Sequence, residues 1–195
     1  LFFGSTTMPF KDRLNSGIVS AALTLDENVR AVDVASTQRA GTSALLQALS
    51  AVKAGEAKHA LVLASDHRKT KAVTAQELDF GDGAAALSVG TENVIATYLG
   101  GASLTVDFVD HFRGDTEEFD YNWEERWIRD EGFAKIIPRA VKAALENSGV
   151  SAEEIRHFVL PCSFGMKFVQ QLAKRSGIDP DAARDTLAAN CGETG

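Results

Sequence analysis

Cysteine is almost missing from this chain of 195 residues, which has only Cys162 and Cys191. Two cysteines cannot build a disulfide framework, and their spacing fits no zinc-ligand pattern. Positive charge is also short: 20 Lys and Arg face 27 Asp and Glu, for a net charge of −7. A general binder of nucleic acid or anionic membrane would carry a basic face, so that class is excluded. No apolar run reaches the roughly 18 residues that span a bilayer, and no signal-peptide pattern opens the chain. Together these absences predict a reduced, cytoplasmic protein with no metal site of its own and neither nucleic acid nor membrane as partner.

What the chain does have is apolar material, 45% of its residues, which is enough to bury a core. Leu1–Gly4 predicts a short strand. Leu14–Leu25 predicts a helix, with Ile18, Ala21 and Ala22 at helical spacing. Val32–Ala35 is a second strand. The Ala/Leu-rich stretch Gly41–Ala54, apolar nearly all round, predicts a buried helix closed by Gly55. Ala60–Ala64 predicts a strand covered on both faces, and Gly83–Val89 a further apolar strand after a Phe80–Gly83 turn.

From Leu104 to Phe133 the texture changes. Ten acidic residues crowd around Phe112, Phe119, Tyr121, Trp123 and Trp127, as in a long connection between two halves. The alternation then restarts with helix Ile136–Asn147 and a capping box, Ser151–Glu154. Strand Phe158–Leu160, helix Gly165–Arg175 and a helical turn at Asp179-Pro180 follow. Strand–helix alternation on both sides of the connection predicts layered α/β architecture. The division expected is 1–103, 104–133 and 134–195. Leu1–Gly4 reads as mid-strand and Gly192–Gly195 as a turn awaiting another element, so the chain is expected to be an incomplete piece of a longer polypeptide.

Val32-Asp33-Val34-Ala35-Ser36-Thr37-Gln38-Arg39-Ala40-Gly41-Thr42 resembles the nucleophile elbow of the thiolase superfamily, nearest to ketoacyl-ACP synthase III and the HMG-CoA synthases. Phe80-Gly81-Asp82-Gly83-Ala84-Ala85 is similar to a second family turn, in which Gly81 and Gly83 allow unusual φ and Asp82 can satisfy the turn's amides. The resemblance implies a thiolase-like layered α-β-α-β-α fold with duplicated βαβ halves, a 1–103 piece carrying the elbow, and a 134–195 piece opening the second half. It also implies coenzyme A thioesters as substrate or co-substrate, and a homodimer.

In that family the elbow carries a cysteine, and a histidine and an asparagine or second cysteine come from the other half. Here Gln38 stands at the cysteine position. Val159-Leu160-Pro161-Cys162-Ser163-Phe164 matches the family's Val-Pro-His strand end, so Cys162 stands where the histidine belongs. Lys167–Gly177 fixes that register without gaps. Gly192-Glu193-Thr194 matches the Gly-Asn-Thr turn, placing Glu193 at the asparagine position. The 124 positions from Gln38 to Cys162 and the 31 from Cys162 to Glu193 are close to the family's own spacing.

An amide cannot be acylated, so the nucleophile is expected to have moved to Cys162, with Glu193 as general acid/base and Gln38 as a donor to the substrate carbonyl. A carboxylate beside a thiol disfavours thiolate, which calls for a cation such as His111 or Arg39. A cysteine at a strand end also serves as a small buried hydrophobe, and Cys191 is an alternative thiol. His59 and His67 flank the Ala60–Ser65 strand and His157 precedes another, so these read as surface or structural.

Asp110-His111-Phe112-Arg113 and Phe119–Gly132 resemble a segment of HMG-CoA-synthase-like proteins that work beside a small zinc-bearing OB-fold subunit, as in benzoylsuccinyl-CoA-thiolase-like two-subunit enzymes. Aromatics interleaved with Arg and Glu suit a lid or an interface, and hint at a bulky or aromatic acyl group. The activity implied is acyltransfer, making or cleaving a C–C bond of a 3-oxoacyl-CoA. The alternatives are a non-covalent aldolase or decarboxylase, and a non-catalytic scaffold subunit of a thiolase-like heteromer.

Overall fold

The computed structural model describes residues 1–194 and divides into two compact units. The first comprises Leu1–Arg68 and Gly81–Ala96 with Thr194; the second comprises Lys69–Phe80 and Thr97–Glu193.

In the first unit β1 (Phe2–Gly4) leads to α1 (Asn15–Ala22), β2 (Val32–Val34), α2 (Ala40–Lys53) and β3 (Ala60–Asp66). The chain passes through α3 (Ala75–Asp79), which belongs to the second unit, and returns as β4 (Gly83–Val89). The sheet order is β2-β1-β3-β4. β1 lies parallel to both neighbours, with Phe2 opposite Val32 and Val62, while β3 and β4 run antiparallel from Ala60↔Val89 to Asp66↔Gly83.

Small residues decide how α2 meets the sheet. Ala40, Ala44, Ala48 and Ala51 recur at three- and four-residue spacing and are buried against Phe2, Val62 and Val89. A Cβ on Gly4 would lie 2.6 Å from the Ala40 carbonyl carbon and 2.6 Å from the Gly41 nitrogen, so helix and strand backbones touch there. The burial of α2 is one-sided. Leu45, Leu49 and Val52 pack against the margin of this core and are only partly covered. β3 likewise buries Ala60 and Val62, with α2 over one face, rather than being covered on both. β4 is an edge strand, exposed from Ala84 to Ser88.

Two carboxylates fasten the segments around β1 and β2. Asp33 accepts from the Asn15 and Ser16 amides at 2.6 and 2.8 Å and from Asn15 Nδ2 at 3.0 Å, so β2 caps the start of α1. Asp66 Oδ1 accepts from the Thr6 amide at 2.7 Å and from the Ser5, Thr6 and Thr7 hydroxyls at 3.0–3.1 Å.

The second unit holds a two-stranded hairpin of β5 (His111–Phe112) and β6 (Tyr121–Asn122). α4 (Glu125–Trp127) follows, capped by the Glu124 carboxylate, which accepts from the Arg126 and Trp127 amides. It runs through a π-helical stretch, Ile128–Phe133, into α5 (Ala134–Ser148). Gly149, at φ 66°, ends α5, and the capping box opens a 3₁₀ turn at Ala152–Glu154. α6 (Met166–Arg175), a 3₁₀ turn at Pro180–Ala182 and α7 (Ala188–Cys191) complete it. Phe158, Val169, Ala173, Ile178 and Ala182 form the core. The strand expected at Phe158–Leu160 is reduced to one parallel bridge, Phe158 to Ala183. Pro161 has no N–H, which removes a donor from any longer ladder.

Candidate functional site

In the first unit the elbow is a tight turn between β2 and α2. Ser36 takes φ 70°, a left-handed conformation uncommon outside glycine. The Arg39 amide donates to Thr37 Oγ1 at 3.2 Å and the Ala40 amide to the Thr37 carbonyl at 2.8 Å. Gln38 sits partly exposed in this turn, immediately before the helix.

The Phe80–Ala85 segment differs in detail from expectation. Gly81 and Gly83 are not among the left-handed glycines, so unusual φ does not explain them. Gly83 is needed for close approach, since a Cβ there would fall 2.6 Å from the Thr194 side chain. Asp82 pairs with His67 Nδ1 at 2.8 Å, an exposed contact outside the turn.

In the second unit Cys162 is half-buried at the edge of the core formed by Phe158 and Val169. Burial pushes its thiol up from the ordinary value; the Phe164 N–H, donating to the sulfur, opposes this, and the charge of Glu193 pushes it further up. Cys162 and Glu193 are thus brought within electrostatic reach. Glu193 is held by its backbone: its N–H donates to the Asp79 carbonyl at 2.7 Å, and it bridges in parallel with Phe80.

Cys191, two residues earlier, is exposed, and its thiol donates to the Leu187 carbonyl at 3.2 Å. His111 sits on β5 with Nδ1 2.8 Å from Asp110 Oδ1. Burial raises the Asp110 carboxyl, but the hydrogen bonds and charge of His111 outweigh it and hold the carboxyl low. The charge of Glu193 acts on Cys162, and that of His111 on Asp110. His157 Nδ1 accepts from Arg184 Nε at 2.9 Å, and His59 lies against Gly90.

The sequence reading missed the Phe164 N–H that acts on Cys162 and the Asp79 carbonyl that holds the Glu193 backbone. The two-residue offset from Cys162 to Phe164 was the only available signal. Among the described residues, no group of three or more His, Cys, Asp or Glu could hold a metal ion, and no helix is long and apolar enough to cross a membrane.

No family model matches the chain. A hydroxymethylglutaryl-CoA synthase of Methanosphaera stadtmanae is 26% identical over 195 residues, all of this chain and 56% of the relative. The chain therefore spans about half the length of the curated relatives it matches. The 3-oxoacyl-(acyl carrier protein) synthase III of Pseudomonas aeruginosa PAO1 superposes with a TM-score of 0.80 at 20% identity, over 99% of this chain and 62% of that one. MvaS, solved in complex with 3-hydroxy-3-methylglutaryl coenzyme A, superposes with a TM-score of 0.75 at 18% identity, over 90% and 44%. The superpositions show a thiolase-like fold, and with the sequence matches they place its kin among the condensing enzymes. In sequence the chain is similar to HMG-CoA synthases, and in fold it resembles the thiolase-like ketoacyl-ACP synthase III and HMG-CoA synthase structures.

Proposed function

We propose that the complete protein is an acyltransferase of the condensing-enzyme type, acting on acyl-CoA thioesters and making or breaking a C–C bond next to a carbonyl. The pairing of Cys162 with Glu193 carries this reading. Gln38, at the elbow of the first unit, is proposed as a hydrogen-bond donor at the N-terminal end of α2, whose amides favour negative charge. Coenzyme A is the carrier, supported by the ligand of MvaS and the names of the relatives.

In the cleavage direction, Cys162 Sγ attacks the ketone carbon of a 3-oxoacyl-CoA as its proton passes to Glu193. The thiol is raised, so thiolate forms only as that proton leaves, rather than standing ready. The bond between the α-carbon and the ketone carbon breaks, leaving an acyl-Cys162 thioester and a CoA-thioester enolate. The enolate takes the proton from Glu193. A CoA thiol then displaces Cys162, giving a second acyl-CoA. His111, held by Asp110, is proposed as the histidine of the second unit that takes part in the chemistry. A homodimer, and a small zinc-bearing OB-fold subunit docked on the 104–133 segment, complete the proposal.

A second reading takes its support from the raised Cys162 thiol: a non-covalent aldolase or decarboxylase, with Glu193 as base and Cys162 remaining a thiol. Incubating the complete polypeptide with 3-oxoacyl-CoA thioesters and free CoA tests the main reading. Chain-shortened acyl-CoA is expected, and its loss in Cys162→Ser. No turnover, together with a tight complex with a homologue that keeps its elbow cysteine, would replace it with a scaffold role.

A further inference from the structure

Two bulky apolar residues of the second unit stand in the left-handed backbone region, Val73 at φ 65° and Leu187 at φ 63°. The other described non-glycine residues found there, Thr24, Ser36 and Asn93, are all polar. A β-branched residue such as valine is a genuine outlier in this region. Residues held in such strain cluster at active sites, clamps and switches. Val73 is 97% exposed and Leu187 56%, so burial does not offset the strain at either position.

Each kink is braced by a carboxylate on its own N–H. Glu77 Oε2 accepts from the Val73 amide at 2.8 Å, and Asp185 Oδ1 from the Leu187 amide at 2.9 Å. Each kink then opens a short helix, α3 after Val73 and α7 after Leu187, and neither helix contains a buried residue. Helices of five and four residues do not persist in water by themselves. What the two share is where they lead. α3 delivers Asp79 and Phe80, and Gly192, at φ 74°, turns the end of α7 into Glu193. There the Glu193 amide donates to the Asp79 carbonyl at 2.7 Å, and Phe80 bridges Glu193 in parallel.

From this arrangement we infer that the Val73–Glu77 and Asp185–Leu187 kinks are paired positioning devices, which set two short helices so that their meeting ends fix the backbone of Glu193 for its work on Cys162. The inference rests on the proposed role of Glu193 as acid/base. Glycine would reach the same φ without strain, but with more backbone freedom to lose. A branched residue tied through its N–H has fewer conformations, so the helix it opens is aimed more narrowly. That narrowness matters at a proton-transfer site, where a misplacement of about 1 Å costs about 10²-fold in rate. Val73, Glu77, Asp185 and Leu187 are thus positioning residues, acting through Asp79 and Glu193.

The test uses the complete protein and two readouts: turnover of 3-oxoacyl-CoA, and the pH midpoint of Cys162 alkylation in a Cys191→Ser background. Val73→Pro cannot take a positive φ and has no N–H for Glu77. It is expected to lower kcat about 10²-fold with KM nearly unchanged, and to lower the midpoint toward that of Glu193→Gln. Glu77→Ala and Asp185→Ala should move both readouts the same way by less. Glu77→Gln and Asp185→Asn, which keep an acceptor, should leave them in place. Thermal melting checks folding, and if Val73→Pro does not fold the Glu77 and Asp185 variants decide. Folded kink variants with kcat and midpoint unmoved overturn the paired kinks and leave the proposed chemistry standing. The expected midpoint shifts without turnover in the unaltered protein would support the kinks and overturn the chemistry. A midpoint unmoved by Glu193→Gln itself would overturn both.

Discussion

Glu193 and Cys162 form a carboxylate–thiol pair in which the negative charge of Glu193 adds to burial in keeping the Cys162 sulfur protonated. In the proposed chemistry the proton of this raised thiol leaves as the new bond forms and passes to the Glu193 carboxylate. The pair predicts that Glu193→Gln lowers the Cys162 pKa while abolishing turnover. In a Cys191→Ser background, alkylation rate against pH should show a midpoint above the ordinary cysteine value of about 8.5 and a lower one in Glu193→Gln. Turnover should fall by about 10²–10⁴, the usual range for losing a positioned acid/base group. An unmoved midpoint would show that Glu193 does not act on the sulfur.

Gly4 supports the elbow from beneath. Its missing side chain lets β1 touch the first residues of α2, and a methyl group would meet backbone atoms at 2.6–2.7 Å that cannot swing aside. Gly4→Ala is expected to cost about 2–3 kcal/mol by overpacking, measured by urea unfolding. An unchanged midpoint would mean that helix and strand are not in backbone contact.

Asp33 makes stability depend on pH. Burial raises its carboxyl, but the hydrogen bonds from Ser16 and Asn15 outweigh burial and hold it below the ordinary value. A depressed folded pKa means stability fully present above the unfolded value of about 3.9 and lost as pH falls through the folded one. Asp33→Ala, which removes the cap of α1, is expected to cost about 1–2 kcal/mol at neutral pH. Its unfolding curves should also lose part of the acid dependence seen with Asp33; parallel pH profiles would contradict the capping role.

Gly149 offers the opposite case to Gly4. It takes φ 66° at the end of α5, and a Cβ there would meet nothing within 4 Å. Gly149→Ala should cost about 1 kcal/mol from backbone conformation alone. A thermal midpoint equal to that of the unaltered chain would contradict the left-handed end.

The sheet elements and long helices were legible because their signals are local. The apolar run of β3, the alanine spacing of α2 and the Ser151–Glu154 box each act within a few residues, and the Val32–Thr42 motif identified the elbow. What stayed hidden depends on partners distant in sequence. The Phe158–Leu160 stretch has the composition of a strand but, among the described residues, makes a single bridge, to Ala183. Asp82 was expected to serve its own turn and instead reaches His67. The positions of Cys162 and Glu193 could be read by alignment to a motif. The hold of Asp79 on Glu193 spans more than a hundred residues, and that of Phe133 on Phe164 spans thirty-one, so neither has a sequence signature.

The most direct test of Cys162 as the acceptor of the acyl group is peptide mass mapping of the complete protein, quenched in acid after mixing with a panel of acyl-CoA and 3-oxoacyl-CoA thioesters. The expected result is acyl mass on the peptide carrying Cys162, absent in Cys162→Ser and present in Cys191→Ser. Turnover of a thioester with Cys162 unmodified would contradict it, and would assign the chemistry to a non-covalent lyase or decarboxylase.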